Sequence, residues 1–186
     1  MSTERARRHF NVTQYRRMIE TGILKEDDRV ELIEGEIVEM SPIGSQHASY
    51  VNTLTALLFA RIGHTCIVSV QNPVHLNDLS EPQPDIAVLK LRADRYRDQH
   101  PAPEDTLLVI EVADTSAQYD RNVKIPLYGR AQVAEAWLVD LQNEIIEVHT
   151  QAGSRGYHRC DKFVSGQMVK SSSVPGLEIP FDEIIG

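Results

Sequence analysis

Apolar and polar positions change period several times along the chain, and each change marks an element. VTQYRRMIETGIL (residues 12–24) has helical spacing, with Thr13 placed as an N-cap and Gly22 as a stop. RVELIEGEIVEM then alternates apolar and acidic residues about Glu34-Gly35, the pattern of a β-hairpin with strands Arg29–Ile33 and Glu36–Met40. SPIGSQHASYVNTLTALLFARI opens in turn residues and becomes helical. His47, Val51, Leu54 and Leu58 fall on one face of that helix. Short apolar runs at Cys66–Val70, Asp85–Leu89, Thr106–Val112 and Glu135–Asp140 read as strands. Between the second and third runs lies KLRADRYRDQHPAPED, a charged and proline-rich excursion. Between the third and fourth, a loop leads to a helix from about Asp120 to Ala131. A turn at Gln142-Asn143 precedes another strand, Glu144–Thr150, and the tail supplies one more strand and edge structure.

The connection from Thr106–Val112 to Glu135–Asp140 contains a helix and is long enough to join parallel neighbours. The pattern therefore predicts an α/β fold: a mixed central β-sheet flanked by helices on both sides, with an N-terminal β-hairpin extension. A length of 186 residues suits one domain, placed at residues 10–186, after a flexible N-terminus over residues 1–9.

Composition narrows the classes. No apolar run approaches the roughly 18 residues of a membrane span, and MSTERARRHF lacks the apolar core of a signal peptide. Cys66 and Cys160 belong to no metal-ligand spacing and read as free thiols of a reducing cytoplasm, not as zinc ligands or a disulfide. The net charge of −8 argues against tight non-specific nucleic-acid binding and leaves room for a local basic patch. Arg92, Arg95 and Arg97 are the candidate DNA-facing patch; the run Arg5–Arg8 is a second, or a disordered terminus.

Two acids stand out, Asp85 in PQPDIAVLK and Glu111 in LLVIEVAD, each at the mouth of an apolar run. Burying a lone carboxylate is costly without compensation. If the two strands pair antiparallel, the start of one lies beside the end of the other and both carboxylates reach one sheet edge. A divalent cation between them removes their repulsion, and Mg²⁺ takes one or two protein carboxylates and completes its shell with water and phosphate oxygens. The Val112 carbonyl offers a further oxygen. Lys124, early in the following helix, can return to the same edge to hold water or stabilise phosphate charge. Glu34 and His47 are auxiliary candidates, and Gln71 faces the same edge.

These segments carry a resemblance. PQPDIAVL followed by LLVIEVADTSAQYDRNVKIPLYGRAQVAEAWLVD, with VELIEGEIVEMSPIGSQHASYVNTL upstream, resembles the Uma-two family of restriction endonucleases, within the PD-(D/E)XK nuclease superfamily. The similarity spans roughly residues 10 to 185. It implies a restriction-endonuclease-like fold and an endonuclease dependent on Mg²⁺, with Mn²⁺ as a substitute, that hydrolyses DNA. It also implies a homodimer, since double-strand cutting needs two sites. The superfamily's E-x-K lysine position holds Ala113 here, and the family pattern puts Lys124 in its place.

Each residue also has a plainer reading. Asp85 can cap a turn before its strand, Lys124 can pair with Asp120 one turn away, His47 can be a hydrogen-bonded core histidine, and Glu34 can be solvated hairpin surface. Two rival functions follow: a catalytically silent module that keeps a nuclease fold for binding, and a metal-dependent hydrolase of some other phosphate ester.

Overall fold

A computed structural model of the chain describes residues 8–25 and 27–186. The stretch 1–9 and the basic run Arg5–Arg8 therefore lie, apart from Arg8 and His9, outside the described residues.

Six strands form the central sheet: β3 (Cys66–Val70), β4 (Ile86–Lys90), β5 (Thr106–Ala113), β6 (Glu135–Asp140), β7 (Ile145–Gly153) and β8 (Gly156–Phe163), in that spatial order. β5 and β6 run parallel and the other neighbours antiparallel. The sheet is mixed because the β5–β6 connection crosses over through a helix, whereas the others, short or long, return to an antiparallel neighbour. Ile86 pairs with Ile110, so the start of β4 does lie beside the end of β5.

Alternation along the strands separates two cores. Ile86, Val88, Leu108, Ile110, Val112, Trp137 and Val139 pack on one face with Val51, Leu54 and Leu58 of α2 (Ser45–Ile62). Ala87, Leu89, Val109, Ala113, Ala136 and Leu138 face the other way, against Ile125, Leu127 and Tyr128. Helices thus cover both faces, as a sheet with apolar residues on both sides requires.

The crossover helix differs from its expected form. It begins earlier, as α3 (Ala117–Tyr119), widens into a π-turn over Asp120–Lys124, and continues as α4 (Ile125–Arg130). Pro126 explains the widening. It has no N–H to give the carbonyl four residues back, and its ring crowds that carbonyl. The turn before it opens instead, and the N–H of Ile125 reaches the Asp120 carbonyl.

At the N-terminal end, α1 (Val12–Glu20) is capped by Asn11, whose side chain accepts from the Gln14 N–H while the Gln14 side chain accepts from the Asn11 N–H. This reciprocal box displaces the expected cap Thr13, which lies inside the helix. The hairpin forms as β1 (Val30–Ile33) and β2 (Glu36–Glu39), with positive φ at both Glu34 and Gly35, as a tight hairpin turn demands. It folds back over the segment leading into β4, where the Glu81 N–H donates to the Leu32 carbonyl at 2.8 Å. Two short strands, β9 (Met168–Lys170) and β10 (Glu178–Pro180), with α5 (Phe181–Ile184), pack on the α2 side.

Candidate active site

The folded-back hairpin, the N-terminal part of α2, the start of β4, the end of β5 and the π-turn enclose a cleft of about 360 Å³. Its lining includes Glu31, His47, Asp85, Glu111, Val112, Tyr119, Asp120 and Lys124.

Asp85 sits one residue before β4, where its carbonyl accepts from the Gln71 N–H at 3.0 Å. Its Oδ2 accepts from the Val112 N–H at 2.9 Å and lies 3.0 Å from His47 Nε2, and its Oδ1 accepts from Gln71 Nε2 at 3.4 Å. Burial alone pushes the Asp85 carboxyl up, but the His47 hydrogen bond and charge and the Val112 N–H outweigh it, and the net shift is downward. The same hydrogen bond raises His47 against the burial that would lower it. The His47 Nδ1 is buried without a hydrogen-bond partner among the described residues.

Glu111 lies on the face of β5 that Val109 and Ala113 share, the one packed against the crossover helix. Lys124 Nζ lies 2.8 Å from its Oε1, and the Tyr128 hydroxyl donates to the same oxygen at 2.6 Å. Lys124 is held a second time by Glu31 Oε2 at 3.3 Å and a third time by the Gln83 carbonyl at 3.2 Å. Glu31, Glu111 and Lys124 are all buried. Burial pushes the Glu111 carboxyl up to about 8 despite the ammonium beside it. Burial pulls Lys124 down, but Glu111 and Glu31 outweigh it, so the ammonium keeps its proton well above its ordinary range. Asp120 is raised by burial and accepts from Ser116 Oγ at 2.6 Å. The plain Lys124–Asp120 pair is thus replaced by Lys124–Glu111 and Lys124–Glu31 contacts, because the π-turn re-aims the lysine toward β5.

Five of the expected residues share this cleft: His47, Asp85, Glu111, Val112 and Lys124. Glu34 is not brought there. It sits at the hairpin tip, mostly exposed, with Oε1 2.9 Å from Arg130 Nη2. The hairpin reaches the cleft through Glu31 instead. Arg92, Arg95 and Arg97 follow the far end of β4, five residues from the Asp85 end, or about 16 Å at strand rise. Arg92 is engaged there by Asp94 and stacks on the Tyr96 ring. Arg29 lines the cleft itself.

The donors fit a hard divalent cation in kind. Six carboxylate side chains line one cleft, those of Glu31, Glu39, Asp85, Glu111, Asp114 and Asp120, and Mg²⁺ prefers oxygen and needs only one or two carboxylates. They do not form a preassembled cage. Among the described residues, the group of three ligand atoms gathered within 4.8 Å is Glu147, His149 and Cys160, elsewhere in the molecule. In the cleft, the Lys124 ammonium already stands between Glu111 and Glu31. Each acid therefore has its own compensation: His47, Gln71 and a backbone N–H for Asp85, and Lys124 with Tyr128 for Glu111. No helix among the described residues is long and apolar enough to cross a membrane.

Comparison with known proteins gives the same direction. A family model described as "Uma2: putative restriction endonuclease" matches residues 12–182. No curated protein matches the chain. A crystal structure described as a "putative nuclease belonging to DUF820" from Anabaena variabilis ATCC 29413 aligns with a TM-score of 0.74 at 16% identity, over 94% of this chain and 97% of that one. At that identity the likeness is one of fold.

Proposed function

The chain belongs to the Uma2 family, described as "putative restriction endonuclease", and on that premise we propose that it is a Mg²⁺-dependent endonuclease of the PD-(D/E)XK type that hydrolyses DNA phosphodiester bonds in this cleft. The observation that carries the reading is the convergence of Asp85, Glu111 and Lys124 from a loop, a strand and a π-turn onto one concave site. Asp85 and Glu111 would hold the cation. A bound Mg²⁺ supplies Lewis acidity toward the phosphate and lowers the pKa of bound water.

The chain's own residues supply the rest. His47 fixes the orientation of the Asp85 carboxylate through Nε2. Lys124, cationic at all physiological pH, stabilises negative charge developing on a phosphate at the cleft. Glu31 and the Gln83 carbonyl aim its ammonium. Tyr128 steadies the Glu111 carboxyl from below. Arg29, at the mouth, meets the DNA backbone. The protein acts as a homodimer in the cytoplasm, its residues 10–186 forming one nuclease-fold domain.

One observation favours the silent binding module: Lys124 is saturated by three partners, which suits a structural lysine. Incubation of the chain with supercoiled plasmid and with bis(p-nitrophenyl) phosphate, in Mg²⁺, Mn²⁺ or chelator, separates the readings. Metal-dependent plasmid nicking supports the nuclease. Hydrolysis of the small ester alone supports a different phosphoesterase, and inertness toward both supports the silent module.

A further inference from the structure

Glu147, His149 and Cys160 meet on one face of the β7–β8 pair, and we propose that they form a zinc-binding site separate from the acidic cleft. His149 and Cys160 are direct cross-strand partners, and Glu147 lies two residues before His149, hence on the same face. His149 Nε2 stands 3.3 Å from Glu147 Oε2 and 3.8 Å from Cys160 Sγ. Donors around a tetrahedral zinc, at about 2.0–2.3 Å from the metal, stand roughly 3.3–3.8 Å from one another. The imidazole thus already holds its two neighbours at coordination spacing. All three ligand atoms lie within 4.8 Å of one another, and rotation of the exposed Cys160 side chain closes the remaining gap.

The donor set selects the metal. Thiolate and imidazole nitrogen favour zinc over Mg²⁺, which takes oxygen. Three protein ligands leave the fourth position to water, and the exposure of Cys160 gives entry from solvent. On binding, the Cys160 thiol releases its proton to solvent, and the imidazole carries its N–H on Nδ1 and presents the Nε2 lone pair. Two cations compete for the carboxylate: Lys162 Nζ is 3.0 Å from Glu147 Oε1, and Arg121 Nε is 3.1 Å from Oε2. Lys162 is mostly exposed and can swing away. The site also touches the crossover helix, because Arg121 stands in the same π-turn as Lys124. Sequence spacing hid it: His149 and Cys160 meet only across the hairpin register.

Titration of the full chain with Co²⁺, read by thiolate-to-metal charge-transfer absorption and then by displacement with Zn²⁺, tests the proposal. The band is expected in wild type, absent in Cys160→Ser, at least tenfold weaker in affinity in His149→Gln, and unchanged in Glu111→Gln. Lys162→Gln is expected to tighten binding several-fold by removing a competitor. Absence of the band in wild type, its survival in Cys160→Ser, indifference to His149→Gln, or its loss in Glu111→Gln would each overturn the site.

Discussion

Lys124 Nζ and Glu111 Oε1 stand 2.8 Å apart with both side chains buried. This contact ties the π-turn to the end of β5, and it makes lysine and acid interdependent. Removing one member of a buried ion pair leaves an uncompensated charge and costs about 3–5 kcal/mol. Lys124→Met is expected to approach that loss in urea denaturation only as pH rises and Glu111 ionises. The double variant Lys124→Met/Glu111→Gln is expected to lose less than Lys124→Met alone. A double variant weaker than the single would contradict the pairing.

The raised Glu111 pKa has a consequence for metal binding. With a value of about 8, Glu111 holds a proton at neutral pH, which a cation bound there as proposed would have to displace. Mg²⁺ affinity measured by calorimetry should rise by up to about tenfold per pH unit below that value and flatten above it. In Glu111→Gln the pH dependence over this range should vanish, together with most of the affinity.

The His47–Asp85 pair bears on stability with two opposite signs. The His47 pKa is raised above its ordinary 6.5, so its stabilisation is present below 6.5 and is lost as pH climbs through the raised value. The Asp85 pKa is lowered from 3.8, so its stabilisation is present above 3.8 and is lost as pH falls through the depressed value. The pair therefore contributes most between about pH 4 and 6.5. The stability difference between wild type and His47→Gln should be largest there and shrink toward pH 8.

Gly129 tests how α4 is seated. A Cβ there would come within 2.5 Å of the Gly156 carbonyl carbon and 2.8 Å of its Cα, both backbone atoms. Gly129→Ala must push α4 off β8, and overpacking of this kind costs about 1–3 kcal/mol. A melting curve unchanged from wild type would show that the helix is not clamped at this point.

Most of the sheet was legible because its strands are bounded by turn chemistry and buried on both faces. Cys66–Val70 and Glu135–Asp140 match their expected limits, and the long crossover left room for the observed parallel β5–β6 pair. The crossover helix was harder. A proline at position 126 marks a disturbance near Lys124 in the sequence, but nothing local says that the helix absorbs it by widening. Glu31 was missed because an acid in an alternating hairpin looks solvent-facing. The signal was present: Ile33, two residues on, lies on the same strand face and is buried. Glu34, by contrast, sits at the turn, where the side chain leaves the hairpin and finds Arg130. The partners of Asp85 and Glu111 depend on register and on the packing of α2 and α4. Those are tertiary facts that no local pattern contains.

The central claim is that Asp85 and Glu111 form the metal site of a nuclease. The most direct measurement is the rate of supercoiled-plasmid nicking in Mg²⁺ or Mn²⁺ by wild type, Asp85→Asn, Glu111→Gln and Lys170→Ala, each first shown by circular dichroism to be folded. Lys170 lies on β9, exposed and paired with Glu178 outside the cleft lining, and serves as the control. Metal-dependent nicking by wild type and Lys170→Ala, reduced at least a hundredfold in both acid variants, is the predicted result. Equal nicking by all four folded proteins, or none by any, would contradict the assignment.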